Sequence, residues 1–403
     1  MITQPSMTPR SPARPGAGAL RGRDIVCFSH DWTGDPLSKT HLMRLLARDN
    51  RVLWVNSIGY RAPTASRQDL SRAWKKLTAA TRPISNPEKN IFVLSPLAIP
   101  AYQRASIRKL NGFLLRQQVR WAFRRLGFRR VINWVFNPPA AVVAGTLGED
   151  RLIYYCVDEY AAFTGVSRST MEDFERYLLE KADLSIVTSE GLLETRRRIA
   201  PAAILVRHGV DVPHFRQALD PATVVPSDLA SLPGPVIGFF GLIADWVDVE
   251  LLAAVAKHFS GGSLVLVGKA VTDVSALEAL PNVHLLGRKP YSELPGYCKG
   301  FDVALNPFRV NELTLNANPL KIREYLAAGL PVVATDIPEV SRLGLCHIAD
   351  GPEATIRAIE AALADPMSRE ERSRSMETES WASRLDDIRD HFAAMEADRA
   401  PLS

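Results

Sequence analysis

A chain of 403 residues, 46% of them hydrophobic, is too long for one ordinary core and suits two domains; its net charge is only +5. No apolar run approaches the roughly 20 residues of a membrane span, so any membrane contact must be peripheral. Cys27, Cys156, Cys298 and Cys346 are far apart and form no CxxC pair, which gives no support to disulfides or zinc and fits small core residues in a reducing, cytoplasmic compartment.

Residues 1–20 carry proline, glycine, serine and arginine without an apolar h-region, the composition of a disordered leader. Residues 21–216 then read as a first domain. Asp24 to Phe28 is a buried strand, Leu37 to Arg48 a helix, and Arg51 to Ser57 a second strand. Arg61 to Asn90 is polar and basic and reads as a mobile insertion. Strands recur at Ile91–Leu94, Val131–Phe136, Leu152–Val157, Leu184–Thr188 and Ile204–Arg207, with helical stretches between them. Such alternation implies an α/β domain with helices on both faces of a parallel sheet.

Residues 217–235 turn proline-rich and read as a linker. A second alternating series fills residues 236–366, with strands at Val236–Phe240, Leu264–Val267, Val283–Leu286, Val303–Leu305 and Val332–Ala334. The tail, 367–403, is charged and helix-prone, with Trp381 its one large apolar anchor.

Charge is unevenly spread. No acidic residue falls between Glu88 and Glu149, an interval holding Lys89, Arg104, Arg108, Lys109, Arg116, Arg120, Arg124, Arg125, Arg129 and Arg130. Leu110, Phe113, Leu114, Trp121 and Phe128 interleave with these arginines. The pattern suits an amphipathic helix on an anionic inner leaflet, with an ordinary sheet-packing helix as the alternative. No nucleic-acid reading module accompanies the charge, so nucleic acid is not an expected partner.

The most informative stretch runs from Asn318 to Asp336. Asn318 reads as an N-cap, Pro319 as the first helical residue, Gly329 as the helix end, and Val332-Val333-Ala334 as a buried strand. Lys321 stands where a capping box would place Glu or Gln, facing the positive end of the helix dipole. An anion bound there, such as a phosphate, would make that choice favourable. Glu324 lies one turn on, on the same face, where a carboxylate can take ribose hydroxyls.

This segment resembles the donor-site helix of bacterial GT-B glycosyltransferases, particularly family 4. Two more stretches are similar: Val236-Ile237-Gly238-Phe239-Phe240-Gly241 with Asp245 and Asp248 following, and Val283 to Tyr291 leading through Leu294 and Pro295 to Phe301-Asp302-Val303-Ala304-Leu305. The resemblance implies two Rossmann-like domains facing across a cleft, with a C-terminal helix crossing back to the first. It also implies a nucleotide-sugar donor, a UDP-sugar, held by Gly241, Arg288, Lys321 and Glu324, and a hydroxyl acceptor on a lipid-linked or cell-surface polysaccharide. Many retaining members carry Glu-x7-Glu. Here the first position is Asn316, which can still bond a sugar hydroxyl but breaks the motif and leaves the stereochemical outcome open.

Asp158 follows the strand ending at Val157, where a general base should stand. Tyr154 to Glu159 also resembles the corresponding region of the xanthan glucuronosyltransferase, in which an aspartate is the proposed base. His30, after the first strand, is the other candidate. His208-Gly209-Val210-Asp211 matches the family's Asn-Gly-Val-Asp turn, with a structural role expected for His208. No G-x-G-x-x-G follows either first strand and no Asp-x-Asp pair is suitably placed, so neither a nicotinamide or flavin cofactor nor a bound metal is implied. A nucleotide-sugar epimerase on the same fold, or a non-catalytic sugar-nucleotide-binding protein at the membrane, would share the donor site.

Overall fold

A computed structural model of the protein describes residues 20–59 and 84–398. The leader, save Leu20, and the basic insertion up to residue 83 lie outside the described residues.

The first sheet runs β3-β4-β2-β1-β5-β6-β7-β8. Its strands are β1 (Asp24–Phe28), β2 (Arg51–Val55), β3 (Ser85–Glu88), β4 (Ile91–Leu94), β5 (Val131–Val135), β6 (Arg151–Cys156), β7 (Leu184–Val187) and β8 (Ile204–Leu205). All pairings are parallel except β3 with β4. β1 and β5 are buried along their whole length, because helices cover both faces and a continuous apolar run is what such strands require. Strand β3 falls inside the expected insertion. Its sequence, Ser-Asn-Pro-Glu, has no strand pattern, and proline is tolerated there because β3 is the sheet edge.

The second sheet has the order β11-β10-β9-β12-β13-β14 and is entirely parallel. Its strands are β9 (Val236–Phe240), β10 (Ser263–Val267), β11 (Val283–Gly287), β12 (Val303–Asn306), β13 (Val332–Ala334) and β14 (His347–Ile348). This is the doubly wound arrangement, and its order reverses at β9. The two-residue β14 has too little length to show in the sequence.

Residues 217–235 are not a free connector. Ala218 and Leu229 belong to the second core, as do Val210, Val212 and Phe215 before them. Five helices matter below: α1 (Ser38–Leu46), α2 (Ala105–Leu126), α3 (Arg168–Lys181), α4 (Glu190–Arg196) and α5 (Leu320–Ala327). A sixth, α6 (Trp381–Asp398), crosses back and buries Trp381, Leu385, Ile388 and Phe392 in the first domain's core. Gly209 permits the crossing: a Cβ there would stand 2.7 Å from the Trp381 amide nitrogen.

All four cysteines are free thiols, with Cys27, Cys156 and Cys298 buried.

Candidate active site

The carboxyl ends of both sheets face one cavity of about 500 Å³. The first domain lines it with the Asp35–Lys39 segment, Asp158, Phe163 and His208; the second contributes Gly241, Trp246, Arg288, Lys321 and Glu324.

Helix α5 carries the charged pair. Its cap differs from expectation: the N-cap is Pro319 and the helix begins at Leu320, so Lys321 is the second helical residue. Asn318 is instead a buried tie between domains. Its Nδ2 donates to the Thr188 carbonyl at 2.7 Å, and its Oδ1 accepts from Arg323 Nη1 at 2.7 Å. Arg323 is 1% exposed and also donates to Glu379 at 2.8 Å. Tyr325 fixes the helix to the end of β9 by accepting the Phe240 amide at 2.8 Å. Gly329, at φ 81°, closes the helix in the left-handed region where glycine is favoured.

Held this way, Lys321 and Glu324 project into the cavity without hydrogen bond or ion pair among the described residues. The Lys321 ammonium lies over the rings of Phe239 at 4.2 Å and Phe308 at 4.7 Å. Burial lowers its pKa to about 7, against the opposing pull of Glu324. Burial likewise raises Glu324 to about 7, with Lys321 opposing and Asp211 adding to the rise. Gly241 sits at φ 129°, and a Cβ there would stand 2.9 Å from Lys321 Nζ. The glycine thus satisfies the backbone and leaves the ammonium its room.

Other second-domain residues divide by role. Arg288 lies at the mouth and pairs with Asp35 of the first domain at 2.7 Å. Asp245 accepts from Thr164 across the cleft, beside the Phe163–Trp246 ring contact at 6.3 Å. Asp248 caps the helix that follows it, accepting the Leu251 amide at 3.0 Å. Gly238 packs beneath Phe301, away from the cavity. Asn316 is also off the cavity. Its Nδ2 donates to the Glu312 carbonyl at 2.8 Å, its carbonyl accepts Ser189 Oγ at 2.7 Å, and its side chain lies over Gly191. The position that holds a carboxylate in the broken motif is therefore used here as a domain contact.

On the opposite wall, Asp158 has a carboxyl raised to about 6 by burial, with Lys39 opposing and Glu159 adding. No side-chain hydrogen bond engages it among the described residues. Its loop is held from behind: Arg196 of α4 donates to Glu159 at 2.6 and 2.9 Å and to Glu175 of α3 at 2.7 Å. His30 does not line the cavity. Its Nδ1 lies 3.2 Å from Ser29 Oγ and its Nε2 3.4 Å from Thr40 Oγ1, and burial with Lys39 nearby lowers its pKa to about 4. The two candidate bases are not brought together, and Asp158 is the one facing the cleft.

Two cavity residues have a role that sequence reasoning missed. Lys39 on α1 is 8% exposed; nothing in Leu-Ser-Lys-Thr-His distinguishes it from a solvated helix-start lysine. His208, read as a turn residue, is 5% exposed, lines the cavity, and has an Nδ1 without partner among the described residues.

The family described as "Glycosyl transferases group 1" matches residues 234–365. Over 279 residues the chain is 28% identical to the TuaH protein of Bacillus subtilis strain 168, provisionally named a teichuronic acid biosynthesis glycosyltransferase; the match covers 62% of this chain and 69% of that protein. Among solved structures, sucrose-phosphate synthase of Thermosynechococcus elongatus superposes with a TM-score of 0.68 at 16% identity, covering 93% of this chain and all of that one. HepE of Anabaena, solved in complex with UDP, superposes at 0.62 with 13% identity, covering 92% of this chain and 100% of its own. Two facing parallel-sheet domains with a helix crossing back define the GT-B class. Residues 234–365 form a group 1 glycosyltransferase domain, and the chain is a glycosyltransferase with the GT-B fold.

Proposed function

We propose that the enzyme moves a sugar from a UDP-sugar to a hydroxyl on a lipid-linked or cell-surface polysaccharide acceptor. One observation carries this reading: an amine and a carboxyl, neither hydrogen-bonded nor ion-paired among the described residues, stand one turn apart on α5 beside Gly241 and face the cavity. Lys321 takes the diphosphate and stabilises the charge that develops on it as the glycosidic bond breaks. Glu324 accepts the ribose hydroxyls. Asp158, across the cavity, removes the acceptor hydroxyl's proton as its oxygen attacks the anomeric carbon. Arg288 exchanges Asp35 for a phosphate oxygen. The UDP in HepE supports the donor class, and the teichuronic acid in the name of TuaH supports the acceptor class.

A membrane-surface site for the work fits helix α2. Leu110, Phe113 and Trp121 are exposed on one face of it among arginines, and no helix of the described residues is long and apolar enough to cross a membrane.

Calorimetric titration with UDP, and UDP release from a panel of UDP-sugars, test the assignment together. Lys321→Ala and Glu324→Ala should each weaken UDP binding about 10- to 100-fold, the loss of one charged hydrogen bond. Asp158→Asn should bind UDP normally and lose turnover about 100-fold or more. Undiminished UDP affinity in both helix variants removes the donor site; undiminished turnover in Asp158→Asn removes the base.

A further inference from the structure

Lys39 is a buried amine whose pKa is lowered by burial and held up chiefly by Asp158. Its side chain is 8% exposed, yet no carboxylate lies within 4 Å of its ammonium among the described residues. Nζ has three protons to donate, and its two partners are neutral and distant: Asn137 Oδ1 at 3.3 Å and the Tyr160 hydroxyl oxygen at 3.4 Å. Both are preset as acceptors. Asn137 donates its Nδ2 to the Ser29 carbonyl at 2.7 Å, and Tyr160 donates its hydroxyl proton to the Phe136 carbonyl at 2.9 Å. The rings of Phe136 and Tyr160 flank the ammonium at 5.7 and 5.9 Å. A charge in such a pocket is costly unless something pairs with it.

His208 makes the same demand on the same wall. It is buried, its Nδ1 has no partner among the described residues, and burial together with the charges of Arg323, Lys39 and Arg384 keeps the imidazole neutral. Both residues line the cavity beside Asp158. The charged and ionisable groups that act on Lys39 are Asp158 and the thiols of Cys27 and Cys156, with no second cation among them. Arg323 and Arg384 also act on His208, but both pair with Glu379, so the uncommitted charge on this wall is one ammonium, which beside a neutral imidazole matches a singly charged planar anion. A phosphate dianion would call for more positive charge than this wall holds.

We infer that Lys39 and His208 form an anion subsite for the carboxylate of a uronosyl unit, held against Asp158 at the reacting end of the cavity. The inference rests on the glycosyl-transfer reading above and specifies its substrate: the carboxylate belongs either to the donor sugar or to the acceptor's terminal sugar. In both cases Lys39 is a specificity residue, since it binds the sugar without exchanging a proton with the reacting atoms.

Calorimetry on the full chain separates the two sources. In the donor arm, UDP-glucuronate is compared with UDP-glucose; in the acceptor arm, methyl glucuronide is compared with methyl glucoside, with and without UDP. One arm should show at least a tenfold preference for the glucuronate form. Lys39→Gln should abolish that preference while UDP alone binds as in the wild type. Lys39→Met serves if the glutamine variant does not fold. Equal affinities in both arms for the wild-type protein overturn the subsite, whatever the variants do. A preference that survives in Lys39→Gln overturns the role of Lys39 and leaves it only as a neighbour that tunes Asp158. Failure of the wild type to bind UDP strikes the donor site instead, and the glucuronide arm without nucleotide still decides the subsite.

Discussion

Lys321 owes its unusual proton affinity to burial, which Glu324 opposes. With a pKa of about 7 it is mostly neutral at pH 8, because burial disfavours its charge and only Glu324 opposes that. A diphosphate arriving at its side reverses the balance and returns the pKa toward the ordinary lysine value. UDP binding at pH 8 should therefore be accompanied by net proton uptake, and the uptake should shrink as pH falls below 7 and the free enzyme is already protonated. Titrations in buffers of different ionisation enthalpy measure it. Zero uptake at pH 8 would mean that the unliganded ammonium is already charged and the pair is not waiting for an anion. The residue itself was legible because its charge conflicts with the dipole of a recognisable helix. Asn318 was misread, since a residue that fits a cap also fits a buried carboxamide bridge, and only the Thr188 carbonyl 130 positions earlier decides between them. Lys39 was not legible at all: its burial depends on Asn137 and Tyr160, which the fold brings from two other strands' ends.

At the scale of elements, the strands could be read and the ties between helices could not. β1, β9 and β13 appear in the sequence with the bounds found in the structure, because full burial on both faces demands an unbroken apolar run. The clamp behind Asp158 leaves no such trace. Arg196, Glu159 and Glu175 come from α4, the β6 loop and α3, and are 6%, 8% and 7% exposed. Tyr154 donates to the same Glu175 at 2.8 Å. Two buried carboxylates here share one guanidinium, so removing it strands both. Arg196→Met should cost about 3–5 kcal/mol of stability by urea denaturation. Replacing Glu159 and Glu175 by Gln in the same chain should recover most of it. A loss below about 1 kcal/mol would show that the loop carrying Asp158 is held by its packing and not by this charge cluster.

For the whole molecule, the placement of α2 links the cleft to a surface. Leu110, Phe113 and Trp121 follow one another at intervals of three and eight residues, hence on one face, and are 41%, 54% and 49% exposed. Lys109, Arg120, Arg124 and Arg125 are exposed beside them. The buried side of the helix packs on the Pro138–Val142 segment: a Cβ on Gly112 would lie 2.6 Å from the Val142 carbonyl. That segment begins directly after Asn137, which holds Lys39. A bilayer against the outer face of α2 would therefore lie one helix away from the cavity wall that carries Lys39. Each exposed arginine or lysine near an anionic bilayer contributes about 1 kcal/mol, and the three apolar side chains add burial that salt does not screen. The protein should co-sediment with vesicles rich in anionic phospholipid and not with neutral ones. Phe113→Ser with Trp121→Ser should lower the bound fraction at every ionic strength, whereas Arg120→Gln with Arg124→Gln should lower it at low salt and matter less as salt rises. Unchanged sedimentation in both double variants would assign the basic interval to some other surface and return α2 to an ordinary sheet-packing helix with a solvated face.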